Sequence, residues 1–220
     1  HSKVTTNRIS LSAIMDKAFH TNAKSISTRL IVSVLALWFS LFLFMAAVNA
    51  IFVQGTTGFD KAAFRFFNNL ASDRFYSLTR FVTFFGTFKF LLPAFIAMVL
   101  YFIVTKQKRY AIELGVLGAS STGLLFGLKA IFKRDRPEFP VFEHVGAFSF
   151  PSGHALLSFV FCSFLIYWIW NRQTSPVAKY LLTAFLLLFA LSVGISRIIL
   201  RVDFATDVIA GFCIDLFWLI

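Results

Sequence analysis

Three short stretches of this 220-residue chain carry polar side chains in patterns suited to binding an anion and passing a proton to a leaving group. In KAIFKRDRPEFP, Lys129 and Arg136 stand seven residues apart, two turns of a helix, which directs both to one face before Pro137 ends the run. That pair reads as a cationic clamp. In FPSGHALLS, Pro151 suits the first position of a helix and is followed by Ser152, Gly153 and His154. Unpaired amides at a helix start, a hydroxyl donor and a glycine that admits a ligand to the backbone make an anion site. The histidine beside them can give a proton to a leaving group near neutral pH. In SRIILRVDFATD, Ser196 and Arg197 precede two acids, Asp203 and Asp207, one helical turn apart. Each piece alone has a plainer reading: snorkelling anchors for Lys129, Arg136 and Arg197, an ordinary helix start for PSG, a structural donor for His154. Their order and shared sidedness argue for one site.

Membrane helices must position these residues. The chain is 58% hydrophobic, holds 31 phenylalanines and is only 14% charged, outside the range of soluble globular domains. Six apolar runs approach the roughly 20 residues needed to cross about 30 Å of hydrocarbon. They lie at about 30–53, 84–104, 110–132, 151–170, 179–200, and from 203 to the last residue. The predicted fold is all-α: a polytopic membrane protein with six transmembrane helices, forming one domain over residues 1–220 with no internal repeat or dividing linker. The first run is too long and too far into the chain for a cleaved signal peptide, so it reads as a retained helix. The sixth is still apolar at Ile220, which implies a short polar tail beyond it. Residues 1–28 are a polar N-terminal segment whose weakly amphipathic piece, ISLSAIMDKAF, either lies on the inner membrane surface or is loosely ordered. Residues 55–83 mix charges with phenylalanines at helical spacing and predict one or two short helices along the outer interface.

The net charge of +11 would suggest nucleic acid in a soluble domain, but its placement points to a bilayer. Lys3, Arg8, Lys17, Lys24 and Arg29 precede the first run; Lys106, Lys108 and Arg109 separate the second and third; Arg172 and Lys179 separate the fourth and fifth. By the positive-inside rule these segments and both termini are cytoplasmic. In the opposing loops the bases alternate with acids, as in Asp60, Lys61, Arg65, Asp73 and Arg74. The three polar stretches then meet at the outer surface, where converging charge marks a functional site. Cys162 and Cys213 fall inside apolar runs and read as buried thiols rather than a disulfide or metal ligands. His144 reads as a solvated loop residue or a headgroup contact, and Glu138 and Glu143 receive no role.

These residues resemble the type 2 phosphatidic acid phosphatase superfamily, which includes membrane lipid phosphatases and the vanadium haloperoxidases. Its signature K-x6-RP matches Lys129 to Pro137, PSGH matches Pro151 to His154, and SR-x5-H-x3-D matches Ser196 to Asp207, with one departure. Where the third signature has histidine, this chain has Asp203. The resemblance implies that Lys129, Arg136 and Arg197 hold the phosphate oxygens with the Ser152 hydroxyl and the Gly153 amide. It implies that His154 protonates the leaving group and then activates water, with no metal or cofactor. The family's nucleophile is the missing histidine, which becomes phosphohistidine and is oriented by the acid at the position of Asp207. Two acids at i and i+4 repel where a histidine would attract Asp207. Three accounts stay open: a substitution made to hold substrate without turnover, a natural change leaving a binder or a poor enzyme, or an aspartate nucleophile forming an acyl phosphate. The clamp survives in each.

The expected function is a lipid phosphate phosphatase acting on a phosphomonoester or diphosphate headgroup at the outer face of a bacterial inner membrane, with this chain inactivated at position 203. Undecaprenyl diphosphate, phosphatidylglycerol phosphate, phosphatidate and lipid A phosphates are the candidate substrates. Phosphorylated lipid and membrane lipids are the expected partners, not nucleic acid, and the oligomeric state is left open. The alternatives are a non-hydrolysing lipid-phosphate binding protein and a transporter or channel gated by the clamp. The haloperoxidases are soluble, which sets them apart from this chain.

Overall fold

The computed structural model describes residues 11–55, 58–70, 73–138, 140 and 148–219. Lys3, Arg8, Glu143 and His144, singled out above, lie outside the described residues. All regular structure among those described is helical. Helix α1 (Leu11–Val48) contains neither glycine nor proline and runs unbroken through the first apolar stretch, so residues 11–28 are helical rather than a loose tail. At 1.5 Å per residue its 38 residues reach about 57 Å, well beyond the hydrocarbon thickness. It ends in a π-helical turn, Asn49–Val53, and Gly55 then takes a left-handed φ of 63°.

Helix α2 (Gly58–Leu70) is amphipathic. Asp60, Ala63, Phe64 and Phe67 turn inward, whereas Phe59, Lys61, Arg65 and Phe66 are exposed. Helices α3 (Asp73–Phe84) and α4 (Phe88–Val104) form one apolar stretch, Tyr76–Val104, broken by a turn at 85–87. The second span therefore begins at Tyr76, earlier than the 84 expected from hydropathy. Thr87 caps α4 by accepting from the Phe90 amide.

Helix α5 (Lys108–Phe132) stops where Lys133 adopts a left-handed conformation (φ 44°, ψ 39°). This corrects the expectation that one helical face presents Lys129 and Arg136, because Arg136 lies beyond the helix. Pro151 is likewise not the first residue of α6 (Gly153–Trp170); Ser152 is the cap, its hydroxyl accepting from the Ala155 amide, so Pro151 stands outside the helix. The proline-first arrangement occurs instead in α7 (Pro176–Ile199), capped by Ser175. Ser196 and Arg197 occupy the last turns of α7, within the fifth apolar run.

Helix α8 (Ala205–Leu219) follows. Among the described residues, five stretches are long and apolar enough to cross a membrane: Leu30–Val53, Tyr76–Val104, Lys108–Phe132, Gly153–Trp170 and Pro176–Ile199. The described part of α8, 15 residues, measures about 22 Å and is not among them. The molecule is an integral membrane protein.

Helix α6 is the hub, packing against α4, α5, α7 and α8, while α1 lies on α8, α3 on α7, and α2 on both α7 and α8. Leu156, Leu157, Val160 and Phe164 of α6 are buried, whereas Leu35, Trp38, Phe39 and Phe42 of α1 are exposed, as a lipid-facing helix requires. The two cysteines are buried free thiols. Where α8 crosses α6, Gly211 lies so near the PSGH turn that a Cβ there would meet the Ser152 carbonyl oxygen at 2.9 Å and the Ala155 Cβ at 3.4 Å.

Gly211→Ala tests that seat. Overpacking costs about 1–3 kcal/mol, and alanine's better helix propensity returns about 1 kcal/mol. The expected result is a net loss of about 1 kcal/mol, read as a lower unfolding midpoint in detergent. An unchanged or raised midpoint would show that α8 is not wedged against the helix start.

Candidate functional site

Four separate chain segments supply the site. The first is the end of α5, where Lys129 donates from Nζ to the carbonyls of Phe148 (2.8 Å) and Ser149 (3.2 Å). The left-handed residue Lys133 then turns the chain into an extended run, which pairs with the segment ahead of α6: the Ser149 amide donates to the Arg134 carbonyl at 2.9 Å. Arg136 thereby comes alongside Lys129, and its Nη2 donates to the same Phe148 carbonyl at 3.2 Å. The two cations do share a location, through this backbone pairing and not through helical period.

Asp203 is the focus. It lies in the turn between α7 and α8, only 1% exposed. Arg136 Nη1 donates to its Oδ1 at 2.6 Å, while Arg197 Nε and the Ser152 hydroxyl donate to its Oδ2 at 3.1 and 2.8 Å. Arg136 Nη1 also bonds the Val202 carbonyl, and Arg197 Nη1 bonds the Thr83 hydroxyl at 3.2 Å. Burial alone would raise the Asp203 carboxyl, but the guanidiniums of Arg197 and Arg136, then His154 and the Ser152 hydroxyl, hold it down at about 2. Gly153, first residue of α6, packs its bare Cα against Leu125, and His154 follows it, half-buried. Gly86, in the break between α3 and α4, backs the histidine: a Cβ there would meet His154 Cδ2 at 3.0 Å and Val193 Cγ1 at 2.5 Å. The Ser196 hydroxyl is committed to the Val193 carbonyl of its own helix, 2.6 Å away.

Asp207 belongs to a second network. Its Oδ2 accepts from the Phe204 amide at 2.9 Å, half of a capping box at the start of α8, and its Oδ1 accepts from Arg134 Nη1 at 2.5 Å. Arg134 also donates to the Thr206 hydroxyl (2.8 Å) and to Asp60 Oδ2 of α2 (2.9 Å), and stacks 3.9 Å over the Phe204 ring. Asp60 Oδ1 accepts from the Thr206 amide at 2.9 Å. The expected i, i+4 repulsion between the two acids is thus answered: Asp203 precedes α8, and each carboxylate has its own guanidinium partners. Ser152 joins the networks, its amide donating to the Asp207 carbonyl at 3.0 Å.

Sequence reasoning missed Asp60, Arg134, Thr83 and Gly86. Asp60 carried a readable signal, a lone acid sharing one helical face with Ala63, Phe64 and Phe67. The other three had none, because their partners are remote in sequence.

Comparison with known proteins agrees with this architecture. Residues 110–220 match the PAP2 superfamily, and the chain belongs to it. Phosphatidylglycerophosphatase B of Bacillus subtilis (strain 168) is 34% identical over 91 residues, which cover 40% of this chain and 44% of that protein. The match thus spans less than half the length of that relative. The crystal structure of a transmembrane PAP2-type phosphatidylglycerolphosphate phosphatase from Bacillus subtilis superposes with a TM-score of 0.75 at 24% identity, covering 83% of this chain and 92% of that one. Aquifex aeolicus LpxE gives a TM-score of 0.53 at 23% identity over 71% of this chain and 90% of that one. Both superpositions show a shared fold.

The Asp60 anchor generates a stability prediction. Asp60→Ala leaves the Thr206 amide without its acceptor and Arg134 with one carboxylate partner in place of two. Breaking a buried ion pair in this way is expected to cost on the order of 3 kcal/mol, seen as a lower unfolding midpoint in detergent. A loss below about 1 kcal/mol would show that this network does not hold α2 to α8.

Proposed function

We propose that this protein is built as a lipid phosphate phosphatase and that, with aspartate at 203, it holds its ligand's phosphate while hydrolysis is impaired. One observation carries the reading: Arg136 after α5, Ser152 at the start of α6 and Arg197 at the end of α7 all donate to a single carboxylate. Three donors from three elements converging on one anion form an oxyanion seat, and a phosphoryl group offers more acceptor oxygens than a carboxylate. In this reading Lys129, Arg136 and Arg197 hold phosphate oxygens with the Ser152 hydroxyl and the Gly153 amide, and His154 passes a proton to the leaving group. Asp207 keeps its place at the start of α8, but its oxygens are engaged by Arg134 and the Phe204 amide.

An attacking carboxylate needs an unencumbered lone pair and its full charge. Both Asp203 oxygens accept hydrogen bonds and both guanidiniums neutralise them, which argues against an acyl phosphate route. The likeness to phosphatidylglycerophosphatase B supports a lipid substrate. So does an apolar groove of about 420 Å³ between α4 and α5, lined by Phe88, Leu92, Phe95, Gly115 and Gly118. The charge distribution supports a cytoplasmic N-terminus and a site at the outer face of a bacterial inner membrane, in a chain read as one domain with α8 as a sixth span. A non-hydrolysing lipid-phosphate binder is the second reading, favoured by the engagement of Asp203 itself.

Phosphate release in detergent micelles from phosphatidylglycerol phosphate, undecaprenyl diphosphate, phosphatidate and lipid A phosphates tests the proposal. Asp203→His is expected to exceed the unmodified chain by on the order of 10²-fold or more on at least one substrate. Adding His154→Ala to that variant should return the rate by on the order of 10²-fold. Equal hydrolysis by both proteins would make another group the nucleophile, and silence from both would favour the binder.

A further inference from the structure

The side-chain donors expected to grip a phosphate are already engaged by the protein. Arg136 is divided between Asp203 Oδ1 and the carbonyls of Val202 and Phe148; Ser152 and Arg197 Nε meet Asp203 Oδ2; Lys129 is held by two carbonyls. Arg197 is 5% exposed, and its Nη2 is a buried donor with no hydrogen-bond acceptor among the described residues. The seat is therefore filled by a two-oxygen anion and still carries a spare donor, the state of a site built for an anion with more oxygens than a carboxylate has. We propose that the Asp203 carboxylate is an internal occupant of this clamp, displaced when a phosphate-like oxyanion arrives and taking up a proton as it leaves. The inference rests on reading the clamp as a phosphate site.

The sign of the pH dependence follows from the groups around Asp203. Arg197 faces it from α7, Arg136 from the run after α5, Lys129 from the end of α5, His154 from α6 and Asp207 from α8. With the seat empty of ligand, the two arginines keep Asp203 ionised down to about pH 2. An arriving dianion takes those arginines and adds a like charge, so the carboxyl rises. Between the two values binding absorbs a proton and tightens as pH falls, by up to about tenfold per pH unit. Above the upper value the affinity is low and flat. His154 gaining a proton would also favour the anion, and Asp203→Asn separates the two contributions, because it keeps His154 and removes only the carboxylate.

Sulfate, which keeps its double charge across the range, and a short-chain phosphatidate serve as probes. Each is titrated calorimetrically into the full chain in detergent from pH 5 to 8, in buffers of different ionisation enthalpy that report proton uptake. Asp203→Asn is expected to bind both probes at least about tenfold more tightly at pH 7. The excess proton uptake of the unmodified chain over that variant should disappear with the carboxylate. Preference for phosphatidate over sulfate assigns the seat to a lipid headgroup, and parity assigns it to a free oxyanion; either agrees with displacement. Equal affinity and equal proton uptake in the two proteins overturns the internal-occupant proposal and leaves the clamp reading standing. Absence of binding by both, with Asp203→Asn retaining its helical circular dichroism, overturns the clamp reading itself. Should that variant fail to fold, the unmodified chain decides: affinity independent of pH, with no proton taken up, rejects the displacement.

Discussion

Charge buried at the end of a helix bundle has to be matched, and here one carboxylate matches two guanidiniums. Asp203 stands between Arg136 and Arg197 with a serine hydroxyl on its flank, and these three donors come from chain segments that pass through different helices. Removing the anion would strand two cations in a poorly solvated pocket, a penalty larger than the attraction the pair provides. The termination of α5, the pairing of Ser149 with Arg134, the cap at Ser152 and the last turns of α7 all have to be where they are for those charges to meet. The interaction explains both why the polar segments converge and why the seat is closed to a casual anion.

Beneath this seat lies a second compensated cluster with a different task. Arg134 joins Asp60 of α2 to Asp207 of α8 and rests on Phe204, which also meets Phe64. An amphipathic helix that sequence alone would leave as a surface ornament is thereby tied to the start of α8. Ser152 stands at the junction: its hydroxyl serves the first cluster and its amide the second. A shift of α8 therefore reaches the clamp through Ser152 as well as along the chain through Asp203.

Sequence carried the helical class, most span positions and the motif residues that meet around Asp203, because apolar length and the spacing of three motifs are local properties. It did not carry the means by which they meet. Lys129 and Arg136 look like one helical face, yet the left-handed turn at Lys133 ends the helix between them, and a shared carbonyl brings them together. Asp203 and Asp207 look like a repelling pair, yet Asp203 precedes the helix and each acid finds separate cations. Asp60 and Arg134 are 74 positions apart, a distance that no periodicity analysis bridges. The span count shows the same boundary: hydropathy marks where α8 begins, while its described length falls short of the hydrocarbon thickness.

Gly86 extends the site into a region where no chemistry advertises it. Its missing side chain leaves the room that His154 and Val193 fill, in a break between two stretches of apolar helix. Any larger residue would press on Val193 of α7 first, at 2.5 Å, and on the imidazole next, at 3.0 Å. The histidine and the glycine therefore form one unit of inheritance: drift at 86 is open only to changes accompanied by smaller or displaced neighbours, so a position with no functional group is bound to the fate of one that has it.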